Sequence, residues 1–296
     1  MLKKIALSTT TILILAACNN QAPAAKETAG SSAASVAAAS VADQNTTSAP
    51  ALTEATVSGS LIERINNKGT ITVGTEGTYA PFTYRDKDGK LTGYDVEVTR
   101  AVAAKLGVQV EFKETQWEAM LTGLKAGRFD LVANQVALTS PERQATFDKS
   151  EPYSWSGPAL MARADETRIK TVADIKGLKA AQTLSSNYGE MAVKAEAEIV
   201  PVDGMAQALT LVQQKRADAT LNDALSFLDY LKKNPDSGLK IVWTAGAEEK
   251  KGAGLIANKG NDEAIAKISE AVKALQADGT LTKLGEEFFG KDVSKQ

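Results

Sequence analysis

From Gly59 onward the chain alternates short β-type runs with helix-type patterns, and this alternation restricts it to sheet flanked by helices. Thr70-Ile71-Thr72-Val73-Gly74 reads as a strand, and Asp86-Lys87-Asp88-Gly89 as a turn between Phe82-Thr83-Tyr84 and Leu91. Asp95 precedes Val96, Val98, Val102 and Leu106, a spacing that predicts a helix stopped by Gly107. Residues 108–112 alternate as a strand. A second helix is expected at 117–126, with Trp117, Met120, Leu121 and Leu124 on one stripe and Gly127 as its stop; residues 130–133 read as a buried strand. The pattern restarts after Asp174, with strands at 178–181, 199–200 and 219–221 and helices from Tyr188 and over 205–214. A last helix is expected at 262–277, before Gly279. Strand–helix–strand units of about thirty residues call for parallel strands joined by crossover helices. The length of 296 residues suits two such bodies at about 150 residues each. The fold class is therefore α/β in two lobes, with a ligand crevice between them at the carboxyl ends of the strands.

Residues 1–17 have the form of an export signal. Lys3 and Lys4 precede an apolar stretch over 5–17 that is too short to span a membrane, which takes about 20 residues. The stretch ends Leu15-Ala16-Ala17-Cys18, which resembles the bacterial lipoprotein signal, cut before a cysteine whose sulfur is then lipidated. A plain secretory signal with an incidental cysteine is the other reading. Residues 18–58 are read as the lipidated Cys18 and a tether. Ala, Ser and Thr dominate after Cys18, no aromatic occurs, and Lys26, Glu27, Asp43 and Glu54 are the charges there. Such a composition cannot offset its own ordering entropy.

Charge and residue inventory remove whole classes of function. With 34 Lys+Arg against 36 Asp+Glu, no basic excess exists for a phosphate backbone, so no nucleic-acid partner is expected. Histidine is absent and cysteine occurs once, which argues against zinc sites and against Ser-His or Cys-His nucleophiles. No Gly-rich phosphate loop followed by Lys-Ser/Thr is present. No cofactor and no metal site is expected.

Gly93-Tyr94-Asp95-Val96-Glu97-Val98, with Ala101-Val102-Ala103 and Leu106 behind it, is similar to the signature of the extracellular solute-binding proteins that serve polar amino-acid ABC importers. Further matches lie at residues 73–82, at 124–130, at Pro141-Glu142-Arg143, at 217–223 and at 277–284. They run in order from about residue 61 to 290. Ala133-Asn134-Gln135-Val136 and Ser185-Ser186-Asn187-Tyr188 look most like the cystine/cysteine-binding branch. The resemblance implies the type II periplasmic-binding-protein fold, a hinged trap with two crossover strands. Lobe 1 would hold 59–157 plus 253–296, and lobe 2 158–252. It also implies a monomer, lipid-anchored outside the cytoplasmic membrane, that delivers an amino acid to an ABC permease.

A buried zwitterion needs charge-assisted partners for both of its ends. By itself Arg143 reads as a solvated surface arginine, but the resemblance places it at the family's carboxylate clamp, behind Pro141-Glu142. Asp223 follows the strand at 219–221 and is suited to a ligand ammonium, to capping the next helix, or to both. Glu76 follows the strand at 70–74 and is either a loop carboxylate or a group facing the ligand. Trp117 belongs to an apolar stripe, whereas the family places an aromatic there against the ligand, with Tyr79 opposite. The resemblance adds Gln135 and Ser186, with Asn134, Ser185, Asn187 and Tyr188 as neighbours. Two departures stand out. Ala137 has no hydroxyl where the family commonly carries Thr, Ser or Gly, and the segment before Pro141 is one residue longer than usual.

The reading is a lipid-anchored substrate-binding component that captures a polar amino acid, cystine first, with cysteine or another polar amino acid as the alternative. Rival readings are a ligand sensor that docks on a receptor and an enzyme on the same fold.

Overall fold

The computed structural model describes residues 59–296. The export signal, Cys18 and the tether expected within residues 1–58 lie outside the described residues.

Two five-stranded sheets organise these residues. The first runs in spatial order Gln109–Glu114, Thr70–Thr75, Leu131–Val132, Ile256–Asn258, Phe147–Lys149. The second runs Glu198–Pro201, Lys179–Gln182, Ala219–Asp223, Pro158–Arg163, Leu239–Thr244. In each sheet the first three strands are parallel, and the fourth is antiparallel to both of its neighbours. The expected parallel pairing holds for the first three strands of each sheet and fails at the fourth. Parallel pairing requires a crossover connection of a dozen or more residues. Pro158–Arg163 and Ile256–Asn258 have none, because each follows directly on a passage between the two lobes. Those passages, Ser154–Ser156 and Lys251–Ala253, pair antiparallel with each other as two crossover strands.

Successive strand residues point to opposite faces, so each sheet is covered on both sides. Leu131 joins Tyr94, Val98 and Ile268 on one face of the first sheet, and Val132 joins Trp117, Met120 and Leu124 on the other. Met161 and Leu160 divide in the same way on the second sheet, toward Leu209 and Phe227 or toward Ile169 and Ile175. Burying a side chain of this size contributes roughly 1.5–3 kcal/mol.

The helix Tyr94–Leu106 buries Val96, Val98 and Val102, and ends on Gly107 with φ 72°. Its other end needs a glycine too: at Gly93 φ is 120°, and a Cβ there would lie 2.4 Å from the Phe82 carbonyl oxygen. Trp117–Lys125 and Asp262–Ala277 follow the expected apolar spacing. Three helices were not read from the sequence, Pro141–Thr146 among them. Leu61–Asn66 opens with a Ser60/Glu63 capping box, and Thr280–Phe289 begins at Gly279. Among the described residues no helix is long and apolar enough to cross a membrane, and no cluster of Cys, Asp or Glu is suited to a metal ion.

Candidate functional site

Strand ends converge on a cavity between the two sheets. Glu76 follows Thr70–Thr75, Asn134 and Gln135 follow Leu131–Val132, Thr183 and Ser186 follow Lys179–Gln182, and Asn222 lies at the end of Ala219–Asp223. This is where open α/β sheets place ligand groups.

Glu76 and Asn134 hold each other reciprocally. The Glu76 N–H donates to Asn134 Oδ1 at 2.9 Å, and Asn134 Nδ2 donates to Glu76 Oε2 at 2.6 Å. Burial pushes the Glu76 carboxyl up to about 7, opposed by the Asn134 hydrogen bond. The Tyr79 hydroxyl crosses the cleft and donates to Asn222 Oδ1 at 2.7 Å. Trp117 packs with Met120 and Leu124, and it also lines the cavity.

Gln135 is the bridge between the lobes. Its φ of 51° is left-handed, a region that non-glycine residues rarely adopt. Its N–H donates to Asp95 Oδ2, its Oε1 accepts from Ser154 Oγ at 2.7 Å, and its Nε2 lies 3.5 Å from Asp223 Oδ2. Asp223 does two things at once. Oδ1 accepts the Leu225 N–H at 2.8 Å, capping Ala224–Lys233, and also accepts from Ser156 Oγ at 2.6 Å. Oδ2 accepts from the Tyr188 hydroxyl at 3.2 Å. Burial raises the Asp223 carboxyl above the usual range, against these hydrogen bonds.

Arg143 is buried on the helix Pro141–Thr146, whose N-cap is Ser140. Its Nη2 donates to the Ser185 carbonyl oxygen at 2.5 Å, and its guanidinium lies 5.8 Å from the Trp117 ring centroid. The Ser185 N–H donates to Glu118, so both backbone groups of one second-lobe residue are held by the first lobe. Ser186 Oγ accepts the Gly189 N–H at 2.9 Å, capping Asn187–Lys194.

Eight of the sequence-predicted residues line the cavity: Glu76, Tyr79, Trp117, Asn134, Gln135, Ser186, Asn187 and Tyr188. Ala137, Arg143, Ser185 and Asp223 do not. Arg143 and Ser185 are engaged with each other, Asp223 lies behind Gln135 and Tyr188, and Ala137 presents only a methyl group. Ser140, in the lengthened segment, turns its hydroxyl to the Arg143 N–H at 3.3 Å.

Sequence reasoning missed Asp95, Ser154, Ser156 and Asn222. The serine pair had a readable signal, since alternate residues of one strand share a face. Asp95 was read as the start of a helix and as part of the family signature, with no role in the site.

Charge is unbalanced around the cavity. Among the described residues no lysine or arginine pairs with Glu76, Asp95 or Asp223. Arg143 has no carboxylate in ion-pair contact, only the longer-range pull of Glu190 and Glu142.

Residues 71–291 match the bacterial extracellular solute-binding proteins, family 3. The chain belongs to that family. This solute-binding protein is 47% identical over 238 residues to an L-cystine-binding protein of Bacillus subtilis, covering 80% of this chain and 87% of that one. It is 76% identical to the L-cystine solute receptor of Neisseria gonorrhoeae in its unliganded open conformation, with a TM-score of 0.57 over 80% of this chain and 100% of that one. An ancestral arginine-binding protein bound to arginine is 34% identical with a TM-score of 0.71, over 75% and 99% of the two chains. The lobes thus overlay better on the arginine-bound relative than on the open one. The Tyr79–Asn222 and Arg143–Ser185 hydrogen bonds across the cleft hold the two lobes of this chain closed.

Proposed function

We propose that this solute-binding protein captures cystine outside the cytoplasmic membrane and delivers it to an ABC permease, with no catalytic step of its own. The observation that carries the reading is the charge imbalance at the cleft. Glu76 on the first lobe and Asp223 on the second are carboxylates without cations, and Arg143 is a cation without a carboxylate. Burying unpaired ions costs several kcal/mol each, so a complementary ligand is favoured strongly. Cystine carries an ammonium at each end, one for each carboxylate, and its own carboxylates suit a guanidinium fork. A single-headed amino acid such as cysteine would leave one of the two acids unmatched. The similarity to cystine-binding relatives supports the same ligand.

The moving bodies in this reading are residues 59–157 with 253–296 and residues 158–252. Ligand would settle against the first lobe and recruit Ser186 and Asp223 from the second. Closure would be favoured only by the difference in affinity between the open and closed forms. Arg143 would exchange the Ser185 carbonyl for the ligand carboxylate. The protein acts as a monomer, held to the membrane through lipidated Cys18.

Calorimetric titration of residues 59–296, unfolded and refolded beforehand, against the standard amino acids and cystine tests this. Tight, selective cystine binding is expected. Asp223→Ala and Arg143→Ala should each weaken it by about tenfold or more, the scale of a lost hydrogen bond to a charged group. Selective binding of another amino acid would discard cystine, and no binding across the panel would discard the function.

A further inference from the structure

Asp95 is fully buried, and neither its position nor its partners are explained by packing. It lies in the first turn of Tyr94–Leu106, where a helix end favours negative charge. Oδ2 accepts the Gln135 N–H, and the Tyr153 hydroxyl faces the carboxylate. A carboxylate buried without a cation costs stability and persists where it does something else.

What it holds is a residue in a disfavoured conformation. Left-handed backbone costs a non-glycine residue about 1–2 kcal/mol, and such strain collects at ligand clamps. Gln135 keeps φ 51° although its side chain is the one that spans from Ser154 Oγ to Asp223 across the cleft. An extended or right-handed backbone at 135 would swing that amide away from both groups. Asp95 therefore sits on the backbone whose twist decides where the amide points.

We propose that Asp95 is a positioning residue for ligand capture: by accepting the Gln135 N–H it locks the left-handed turn that aims the Gln135 amide between Ser154 and Asp223. Asp95 does not line the cavity and acts through Gln135 alone. The inference rests on the cavity being an amino-acid site.

The test is a mutant cycle read by cystine titration, with circular dichroism to confirm folding. Asp95→Ala should weaken binding about ten- to hundredfold, because a buried N–H is left unpaired. Asp95→Asn keeps an oxygen for that N–H and should recover binding to within about threefold. In a Gln135→Ala background, Asp95→Ala should add little, since the two act as one unit. Additive losses, or unchanged affinity in Asp95→Ala, would overturn the proposal. A second readout needs no ligand: the Gln135 amide proton should resonate far downfield in the wild type and move upfield in Asp95→Ala. Should the wild type bind no amino acid, the functional reading falls and the capture role with it. The Gln135 resonance still decides whether Asp95 holds that backbone, and an unmoved resonance refutes it.

Discussion

If Glu76 meets the ligand's ammonium as proposed, a proton and that ammonium compete for the same oxygens. Burial raises this carboxyl to about 7 in the closed arrangement, and Asp95 is likewise raised to about 7 by burial. The sign follows from linkage. A raised carboxyl stabilises the closed form without ligand fully below its ordinary value, 4.5 for Glu76, and that contribution is lost as pH rises through about 7. An ammonium favours the ionised form instead, so binding near neutral pH releases protons. Affinity for an ammonium-bearing ligand should rise between about pH 5 and about pH 7. Titrations in two buffers of different ionisation enthalpy read the proton release directly. A flat affinity with no release would remove Glu76 from contact with the ligand's cation.

Among the elements, the segment from Thr183 to the helix Asn187–Lys194 is the most tightly specified. The Ser186 cap folds it back so closely that a Cβ at Gly189 would lie 2.2 Å from the Thr183 carbonyl oxygen. Gly189→Ala should cost about 1–3 kcal/mol by overpacking. Displacing Thr183, Ser186 and Tyr188 together, it should also weaken ligand binding several-fold. Thermal denaturation and titration check both effects, and a variant equal to the wild type in both would show that the segment yields. Elements of this kind were legible where one physical signal dominated. The valine spacing of Tyr94–Leu106 and its terminal Gly107 placed that helix, a strand end placed Glu76, and the family resemblance placed the other seven predicted residues that line the cavity. The antiparallel strands Pro158–Arg163 and Ile256–Asn258 were not legible as such, because direction depends on how a segment enters the sheet. Asp95 escaped for a related reason: its partner Gln135 lies forty residues away, and no local pattern reports a contact made by the fold.

For the molecule as a whole, the N-terminal reading has its own test. If Cys18 carries the anchor, Cys18→Ser should move the protein from the membrane fraction to the soluble fraction, as a single acyl-bearing site is removed. Unchanged membrane retention would reject the anchor. The two crossover strands have a different consequence. Every strand of the second sheet lies in one continuous stretch, from Pro158 to Thr244, whereas the first sheet needs Ile256–Asn258 between Leu131–Val132 and Phe147–Lys149. A chain emerging from the ribosome or a translocation pore presents its N-terminal part first. The earlier-made sheet therefore waits, split down the middle with two raw edges, until the later one is entirely available. The half begun first is the half finished last, and through that interval its open edges are exposed to wrong partners.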